Sequence, residues 1–201
     1  MTNRVGIYGG TFDPPHNAHI RVAAAALEQF ALSEVIFVPT GLAPDKSSEV
    51  ELSKEHRYRM VSSAVHGMKR VSVSRIEMDR PGPSYTVDTL REMREDYPQG
   101  ICFVIGADRM LHIDSWKEAD ELLRLVPFIV APRLDVPMNA FARPPFDAAR
   151  VFVLEMEKID VSSTELREAA HRGESIDRWI PAAVAAYIRE HGLYGVPSRS
   201  H

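Results

Sequence analysis

Short apolar runs alternate along this chain with longer stretches of helical period, and this alternation constrains the fold more than any other feature. In the first such stretch Ile20, Ala24, Leu27 and Ala31 recur at steps of four, three and four, which predicts a helix over about 17–31. Strands that alternate with helices are typical of βαβ units around a parallel sheet. We therefore predict an α/β domain with a doubly wound, mostly parallel sheet and helices on both faces. The predicted strands cover about 4–8, 34–39, 71–77, 100–105, 126–131 and 150–154.

Capping residues and helix breakers predict the ends of the remaining helices. These signals are Ser53 before 54–67, Thr86 before 87–97, the Ser115–Glu118 and Ser162–Glu165 capping boxes, and Pro181 and Gly192 at the two ends of the last helix. Two long polar connections, Gly41–Ser53 and Arg133–Ala149, are candidate lids or substrate loops. The domain is predicted to span 1–195 and to be followed by a disordered tail at 196–201.

Charge and composition exclude several classes of partner. The 201 residues include 24 Lys and Arg against 28 Asp and Glu, a net charge of −4, so no overall basic field favours nucleic acid or an anionic membrane. Apolar stretches stay far shorter than the roughly 20 residues of a spanning helix. The single cysteine, Cys102, has no partner for an internal disulfide. We expect a cytoplasmic protein that binds neither nucleic acid nor membrane. The sequence does not decide whether it forms a homo-oligomer.

The loop after the first predicted strand carries the motif Gly9-Gly10-Thr11-Phe12-Asp13-Pro14-Pro15-His16-Asn17-Ala18-His19. Ligands of parallel α/β sheets bind outside the carboxyl ends of the strands. Glycines let the backbone approach a ligand, and the start of the following helix offers free N–H groups to an anion. His16 and His19, three residues apart, fall on one helix face. The motif therefore predicts a phosphate cradle that contains two imidazoles.

The motif also has other interpretations. The sequence contains neither a Walker A loop nor a G-x-G-x-x-G fingerprint, which disfavours a P-loop kinase and an ordinary NAD-dependent dehydrogenase. His16 and His19 could instead be exposed or cap the helix, whereas a zinc pair would lack a third ligand at useful spacing. The preceding glycines favour phosphate.

A second candidate phosphate site follows the last predicted strand, in Val161-Ser162-Ser163-Thr164-Glu165-Leu166-Arg167. Three successive hydroxyls at a helix start, with Arg167 within the first turns, suit phosphate oxygens. By itself, however, a Ser-x-x-Glu pattern is usually just a helix cap. Taken alone, this segment leaves both interpretations open.

Together the two stretches resemble the paired signatures of the nucleotidylyltransferase superfamily. These are Gly-x-Phe-x-Pro followed by His-x-Gly-His, and Ser-Ser-Thr-x-Ile/Val-Arg towards the other end of the domain. The resemblance implies a Rossmann-like domain. Ala18 stands where the superfamily usually has glycine. Because alanine is the smallest replacement and a better helix former, we expect no loss of activity.

Within that superfamily the chain is most similar to the bacterial nicotinate-nucleotide adenylyltransferase family, nearly from end to end. The matching segments are Pro39-Thr40-Gly41 with Pro44 and Lys46, Glu55-His56-Arg57 with Met60, Pro83-Ser84-Tyr85-Thr86-Val87-Asp88-Thr89-Leu90, Gly106-Ala107-Asp108 with Trp116, and Pro132-Arg133. Asp45 departs from the usual histidine. The Ser-Tyr-Thr and Gly-Ala-Asp blocks separate this branch from the phosphopantetheine adenylyltransferases.

The resemblance implies transfer of the adenylyl group of ATP to nicotinate mononucleotide, giving nicotinate adenine dinucleotide (deamido-NAD) and pyrophosphate in NAD biosynthesis. Mg²⁺ would be carried by ATP, with no metal site in the protein. His16 and His19 would be the catalytic groups. The implied ATP-binding residues are Gly9, Gly10, Thr11, Phe12, His16, His19, Gly106, Asp108, Arg133, Ser162, Ser163, Thr164 and Arg167. The implied nicotinate mononucleotide-binding residues are Lys46, Ser84, Tyr85, Thr86 and Trp116.

Simpler structural roles stand beside these assignments. Asp108 or Thr86 could cap a helix, Trp116 could be a core residue, and Lys46 and Arg57, which could also meet phosphate, could be solvated. Two other functions stay open: an adenylyltransferase for another phosphorylated acceptor such as phosphopantetheine, and a non-catalytic nucleotide-binding module. The presence of both histidines argues against the module.

Overall fold

A computed structural model describes residues 3–44, 51–134, 136–157 and 160–197 of the chain. Within these residues six parallel strands form one sheet in the order β3-β2-β1-β4-β5-β6. The strands are β1 (Val5–Gly10), β2 (Glu34–Pro39), β3 (Val71–Val73), β4 (Ile101–Gly106), β5 (Phe128–Ala131) and β6 (Val151–Val153). The sheet confirms the predicted doubly wound α/β fold, and every described strand pair is parallel.

Helices connect the strands and cover both faces of the sheet. They are α1 (Asn17–Gln29), α2 (Lys54–Val65), α3 (Ile76–Asp79), α4 (Thr86–Asp96), α5 (Ala107–Met110), α6 (Ala119–Leu125), α7 (Ser163–His171) and α8 (Ala182–His191). Short 3₁₀ turns occupy Ile113–Ser115, Met138–Ala142, Phe146–Ala148 and Leu193–Gly195. None of the described helices is long and apolar enough to cross a membrane.

Alternation along each strand divides the core between the two faces. In β1, Val5 and Ile7 point to the face covered by α4 and α6, while Tyr8 belongs to the opposite cluster. That opposite cluster contains Val22 and Ala26 of α1, both with no exposed surface. Because side chains alternate along a strand with period two, strands that are apolar at every position fit a sheet covered on both faces.

The C-terminal helices form a third apolar cluster away from the sheet. Leu166 of α7 and Val184 and Ile188 of α8 pack there with Met60 of α2. This packing carries the end of the chain back towards the loop between β1 and α1. The element that follows α8 therefore lies close to the predicted phosphate cradle.

Two predicted elements are wrong in detail. The strand predicted at 71–77 ends at Val73, because the chain turns into the short helix α3 at Ile76. The capping box predicted at Ser115 does not form. The Ser115 hydroxyl donates to the carbonyl of His112 at 2.7 Å, and α6 begins only after Glu118, whose carboxylate pairs with Arg91.

Most predicted helix signals are confirmed within one or two residues. Ser53 caps α2 by accepting from the amide of His56, and Gly192 ends α8 with φ 61°. Pro181 is the N-cap of α8 rather than its first residue. Likewise Thr86 is the first residue of α4, and Tyr85 is its N-cap.

The two long connections differ from simple surface loops. In the second, Val136, Phe141 and Phe146 are buried in the core cluster, so this connection is anchored to the body of the domain. In the first, residues 45–50 lie outside the described residues, and so does most of the predicted tail, 198–201. The role of the first connection as a lid therefore stays a prediction.

Strand order also fixes where a ligand can bind. The order reverses between β1 and β4, whose chains lead away to opposite sides of the sheet. At such a switch point the loops after the two strands separate and leave a crevice at the carboxyl ends. The loops that follow Gly10 and Gly106 carry the residues that line this crevice.

Candidate active site

The two glycines at the end of β1 are required by aromatic packing. A Cβ atom on Gly9 would lie 3.0 Å from the ring of Phe103, and one on Gly10 would lie 2.9 Å from the ring of Phe12. Phe12 is buried and has φ 53° in the left-handed region. Its ring packs edge-on against His19 at 5.0 Å between centroids. The first role of these residues is thus to shape the backbone that holds the histidines.

His16 and His19 form one stacked pair. Their ring centroids are 3.7 Å apart and their planes differ by 23°. His16 is the N-cap of α1, and its amide donates to Nδ1 of His19 at 3.1 Å. Since Nδ1 accepts this hydrogen bond, the neutral His19 ring carries its proton on Nε2. The predicted shared face of the two imidazoles is confirmed.

Burial makes both imidazoles neutral. His16 is 4% exposed, and desolvation together with the nearby Arg133 guanidinium lowers its pKa from 6.5 to about 3. The pKa of His19 is lowered well below 6.5, mainly by burial and to a smaller extent by the charges of His16 and Arg133. The pair therefore offers N–H donors rather than two cations when no anion is bound.

The start of α1 is less open to anions than the sequence predicts. The amide of His16 is bound to His19, that of Asn17 donates to the carbonyl of Trp179 at 2.8 Å, and that of His19 donates to the His16 carbonyl at 2.9 Å. Among residues 16–19 this leaves the Ala18 amide. The expectation of several free N–H groups is wrong here, because the segment before α8 packs against this helix start.

Residues after β4 and β5 form the second side of the crevice. Oδ1 of Asp108 lies 2.5 Å from where a Gly106 Cβ would stand, so only glycine lets this side chain fold back over the strand end. Arg133 pairs with Asp108 at 3.6 Å and donates to the carbonyl of Val161 at 2.8 Å. Asp108 does not cap α5, whose N-cap is Gly106.

A cleft lies beside this ion pair. It is lined by Asp108, Arg133, Leu134, Val136, Asp160, Val161, Ser162 and Glu165. Three of the predicted ATP-binding residues, from three separate stretches of sequence, thus meet at one cleft. Through Arg133 the cleft is also electrostatically linked to the histidine pair.

The hydroxyls at the start of α7 already have protein partners. Ser162 and Glu165 form the predicted capping box, with the Ser162 amide donating to the Glu165 carboxylate at 2.9 Å and its hydroxyl accepting from the Glu165 amide at 3.2 Å. Ser163 donates to the Pro14 carbonyl at 2.8 Å. Arg167 is 8% exposed, donates to the Asp13 carbonyl at 2.9 Å and lies 3.4 Å from the Thr164 hydroxyl. The two predicted phosphate stretches are therefore in direct contact.

Of the predicted nicotinate-binding residues, Trp116 packs against β4. The ring of Trp116 packs on Phe103 with centroids 6.4 Å apart, and Phe103 is the residue that also approaches Gly9. Trp116 is partly buried against the core, so it has at least part of the packing role that the sequence allowed for it. Tyr85 caps α4 without a side-chain hydrogen bond, and the ammonium of Lys117 stands 4.7 Å above its ring.

The chain before α4 is held by the loop after β2. The amide of Ser84 donates to the carbonyl of Leu42 at 2.8 Å, and Ser84 is buried. Gly41 is required at this contact, since a Cβ there would lie 2.0 Å from the carbonyl oxygen of Glu77. Lys46, which belongs to the same connection, lies outside the described residues.

Arg57 has a different role from the phosphate contact that was considered for it. Its side chain is 1% exposed and donates to the carbonyls of Thr11, Thr40 and Gly41 at 2.8, 2.6 and 3.1 Å. These carbonyls belong to the loops after β1 and β2, so Arg57 clamps the two loops together. A buried arginine that satisfies backbone carbonyls cannot be recognised from sequence spacing, because its partners are distant in the chain.

Asp13 is the site residue to which sequence reasoning gave no role. It is 0% exposed and accepts hydrogen bonds from two other parts of the chain, through the amide of Glu51 at 2.7 Å and the hydroxyl of Tyr194 at 2.6 Å. Its place in the Gly9–His19 motif was the available signal. Its partners depend on the tertiary fold.

The stacked histidines after β1, the arginine and aspartate after the neighbouring strands and the Ser-Ser-Thr helix start define a nucleotidyltransferase of the Rossmann-like type. A family model described as Cytidylyltransferase-like matches residues 7–169, and the chain belongs to that family. Comparison with curated proteins then narrows the assignment within it.

The relatives carry one name, "Probable nicotinate-nucleotide adenylyltransferase". The protein from Synechococcus sp. (strain JA-3-3Ab) is 40% identical over 95% of this chain and 94% of its own. The one from Thermus thermophilus is 40% identical over 95% and 99%, and that from Moorella thermoacetica is 41% identical over 95% and 91%. The chain is a member of the nicotinate-nucleotide adenylyltransferase family, as the sequence motifs predict.

Solved structures share the fold. Plasmodium falciparum nicotinic acid mononucleotide adenylyltransferase complexed with NaAD superimposes with a TM-score of 0.82 at 21% identity, covering 97% of this chain and 98% of that one. A second solved structure, from Vibrio parahaemolyticus, gives a TM-score of 0.68 at 20% identity, with 98% of each chain covered. At these identities the likeness establishes the Rossmann-like fold alone.

Proposed function

We propose that this protein transfers the adenylyl group of ATP to nicotinate mononucleotide, with nicotinate adenine dinucleotide and pyrophosphate as products. The observation that carries the proposal is the stacked, buried pair of His16 and His19 at the strand-order switch point. The name shared by relatives at about 40% identity supports the choice of substrates. The step belongs to NAD biosynthesis.

The ATP half of the proposed site lies between β1, β4 and α7. Arg133 and Asp108 border the cleft, where the carboxylate can accept from ribose hydroxyls and the guanidinium can meet phosphate. Ser162 holds the helix start, and we assign phosphate binding at α7 to the amides of Ser163 and Thr164 rather than to their engaged hydroxyls. The remaining proposed ATP contacts are Gly9, Gly10, Thr11, Phe12, Gly106 and Arg167.

The nicotinate half of the proposed site is formed by α4 and Trp116. Amides at the start of α4 suit the nicotinate carboxylate, because the helix end is positive and Tyr85 leaves it without a side-chain cap. Trp116 offers an aromatic face to the pyridine ring. Ser84, Thr86 and Lys46 complete the proposed set, Lys46 on sequence grounds only.

The chemistry requires positioning rather than a protein nucleophile. A phosphate oxygen of nicotinate mononucleotide attacks the α-phosphorus of ATP, the bond from that phosphorus to the bridging oxygen breaks, and pyrophosphate leaves. The attacking phosphate, with a second pKa near ~6, is already ionised at neutral pH, so no general base is needed. His19 Nε2–H and the His16 ring donate to phosphate oxygens as charge develops.

Magnesium enters as part of the substrate, MgATP. Among the described residues, no group of three or more His, Cys, Asp or Glu side chains is placed to hold a metal ion. The ion would screen the triphosphate charge while His16, His19 and Arg133 orient it. We place the reaction in the cytoplasm, without nucleic acid or membrane, and the single buried Cys102 is compatible with a reducing compartment.

Pyrophosphate release tests the proposal. Purified protein is incubated with MgATP and, in parallel, nicotinate mononucleotide or phosphopantetheine, and products are identified by mass. We expect pyrophosphate and nicotinate adenine dinucleotide in a 1:1 ratio with the first acceptor. Turnover with phosphopantetheine alone would assign a sister transferase, and ATP binding without pyrophosphate release would assign a non-catalytic module.

A further inference from the structure

The last described turn of the chain returns to the loop that carries the histidines. After α8 the turn Leu193–Gly195 buries Tyr194, which is 2% exposed. Tyr194 has φ 56°, in the left-handed region that non-glycine residues seldom adopt. Its hydroxyl donates to Oδ1 of Asp13 at 2.6 Å across 181 residues of sequence. Backbone strain of this kind persists only where surrounding contacts impose it.

Asp13 is the point at which several segments meet. Its second oxygen, Oδ2, accepts from the amides of Glu51 at 2.7 Å and Leu52 at 3.4 Å. Its backbone carbonyl accepts from Nη1 of Arg167 at 2.9 Å. Oδ1 is the oxygen held by Tyr194. A buried carboxylate that loses such a donor loses compensation for its desolvation, so it moves towards its other donors or towards water.

A displacement of Asp13 reaches the histidines through a short, stiff segment. Pro14 and Pro15 separate Asp13 from His16, and proline rings restrict φ to a narrow range. The Pro14 carbonyl is fixed further by the Ser163 hydroxyl at 2.8 Å. His16 in turn binds His19 through its amide. A shift of Asp13 would therefore be passed along this segment to His16, and through the His16 amide to His19.

We propose that Tyr194 is a positioning residue for the histidine pair and acts through Asp13, without touching substrate. The inference rests on the proposed adenylyl transfer at His16 and His19. Burial and the Asp13 carboxylate raise the pKa of Tyr194 above its usual 10, so the hydroxyl keeps its proton and stays a donor at physiological pH.

Tyr194→Phe removes the hydroxyl and keeps the ring. Because a misplacement of about 1 Å can cost up to ~100-fold in rate, we expect kcat to fall about tenfold while KM for both substrates changes less than about twofold. Tyr187→Phe is the matched control, since its hydroxyl lies 3.0 Å from Nδ1 of His56 on the α2–α8 surface. This control should keep kcat within about twofold of wild type.

Hydrogen exchange of the unliganded protein supplies a readout that does not depend on catalysis. In Tyr194→Phe the amides of residues 9–19 should exchange at least about fivefold faster, while those of β4 and all those of Tyr187→Phe keep wild-type rates. A kcat within twofold of wild type, or faster exchange throughout the protein, would overturn the positioning role. If wild type makes no pyrophosphate, the proposed function fails, and exchange still decides whether Tyr194 orders the histidine loop.

Discussion

At the scale of single residues, burial rather than charge defines the candidate catalytic pair. A histidine with a pKa of about 3 cannot be a cation at pH 7, so His16 meets an incoming phosphate as a neutral ring. Neutral donors in a dry pocket need little reorganisation during the reaction, which is the condition for effective electrostatic stabilisation.

Replacement of His19 by alanine tests this role. His19→Ala removes one preorganised donor, so kcat should fall at least ~100-fold while the affinity for ATP changes little. Steady-state kinetics and ATP titration measure the two effects. His66→Ala, at the exposed end of α2, is the control and should behave as wild type. A His19→Ala enzyme within threefold of wild type would remove His19 from the mechanism.

The lowered histidine pKa values also predict how stability depends on pH. Below pH 6.5 the unfolded chain takes up protons at His16 and His19, whereas the folded protein leaves both neutral. The free energy of unfolding should therefore fall as pH drops from 6.5 to 5, with a slope approaching about 1.4 kcal/mol per pH unit for each histidine. Urea unfolding at several pH values measures it. The double variant His16→Gln/His19→Gln should show a clearly shallower slope, and an unchanged slope would refute the neutral pair.

The role of a residue could be predicted only where a local sequence motif indicates it. His16 and His19 follow from their spacing and the glycines before them. The roles of Arg57 and Asp13 depend on carbonyls and amides that the fold brings from elsewhere, among them Thr40 and Glu51. Sequence spacing carries no information about such partners.

At the scale of elements, three helix starts were predicted to receive anions, and the structure distinguishes them. Amides at the start of α1 are largely used by the protein, and at α7 the capping box uses the Ser162 hydroxyl and the Glu165 amide. Tyr85 at the start of α4, like His16 at the start of α1, makes no side-chain capping hydrogen bond, and α4 lacks the capping box of α7. This difference favours α4 as the helix start that reads a substrate carboxylate.

The capping box of α7 gives a prediction that separates stability from catalysis. Ser162→Ala removes the cap, so the free energy of unfolding should fall by about 1 kcal/mol. Because the Ser162 hydroxyl is engaged with Glu165, kcat should change by less than about threefold. Ser175→Ala, in the exposed segment before α8, removes a long 3.4 Å hydrogen bond from the Asp177 amide and should change both quantities little. A large loss of kcat with unchanged stability would show that this hydroxyl contacts phosphate directly.

Elements were predictable where local pattern and tertiary packing agree. The apolar runs of β1, β2 and β4 fit a sheet covered on both faces, and their positions were predicted to within about two residues. The Ser115 box failed because Glu118 pairs with Arg91 of α4 and Trp116 is drawn against the core. Here the tertiary contacts of Glu118 and Trp116 stabilise the chain more than the Ser115 cap would.

At the scale of the whole molecule, strand order and the returning C-terminus assemble the site. The reversal between β1 and β4 opens the crevice, and α7 and Tyr194 close onto the loop at Asp13 from the far end of the chain. Short motifs at opposite ends of the sequence thus become one surface. What distinguishes this protein from other adenylyltransferases is therefore the acceptor that binds next to ATP.

The ratio of kcat/KM for nicotinate mononucleotide to that for nicotinamide mononucleotide tests the substrate assignment most directly. A carboxylate only accepts hydrogen bonds and carries charge, so amides at the start of α4 favour it, whereas the NH₂ of the amide would face donors. We predict a ratio of at least ~100, and Trp116→Ala should weaken both substrates equally because stacking does not distinguish them. A wild-type ratio of about ten or less would contradict the assignment of the α4 helix start to the nicotinate carboxylate.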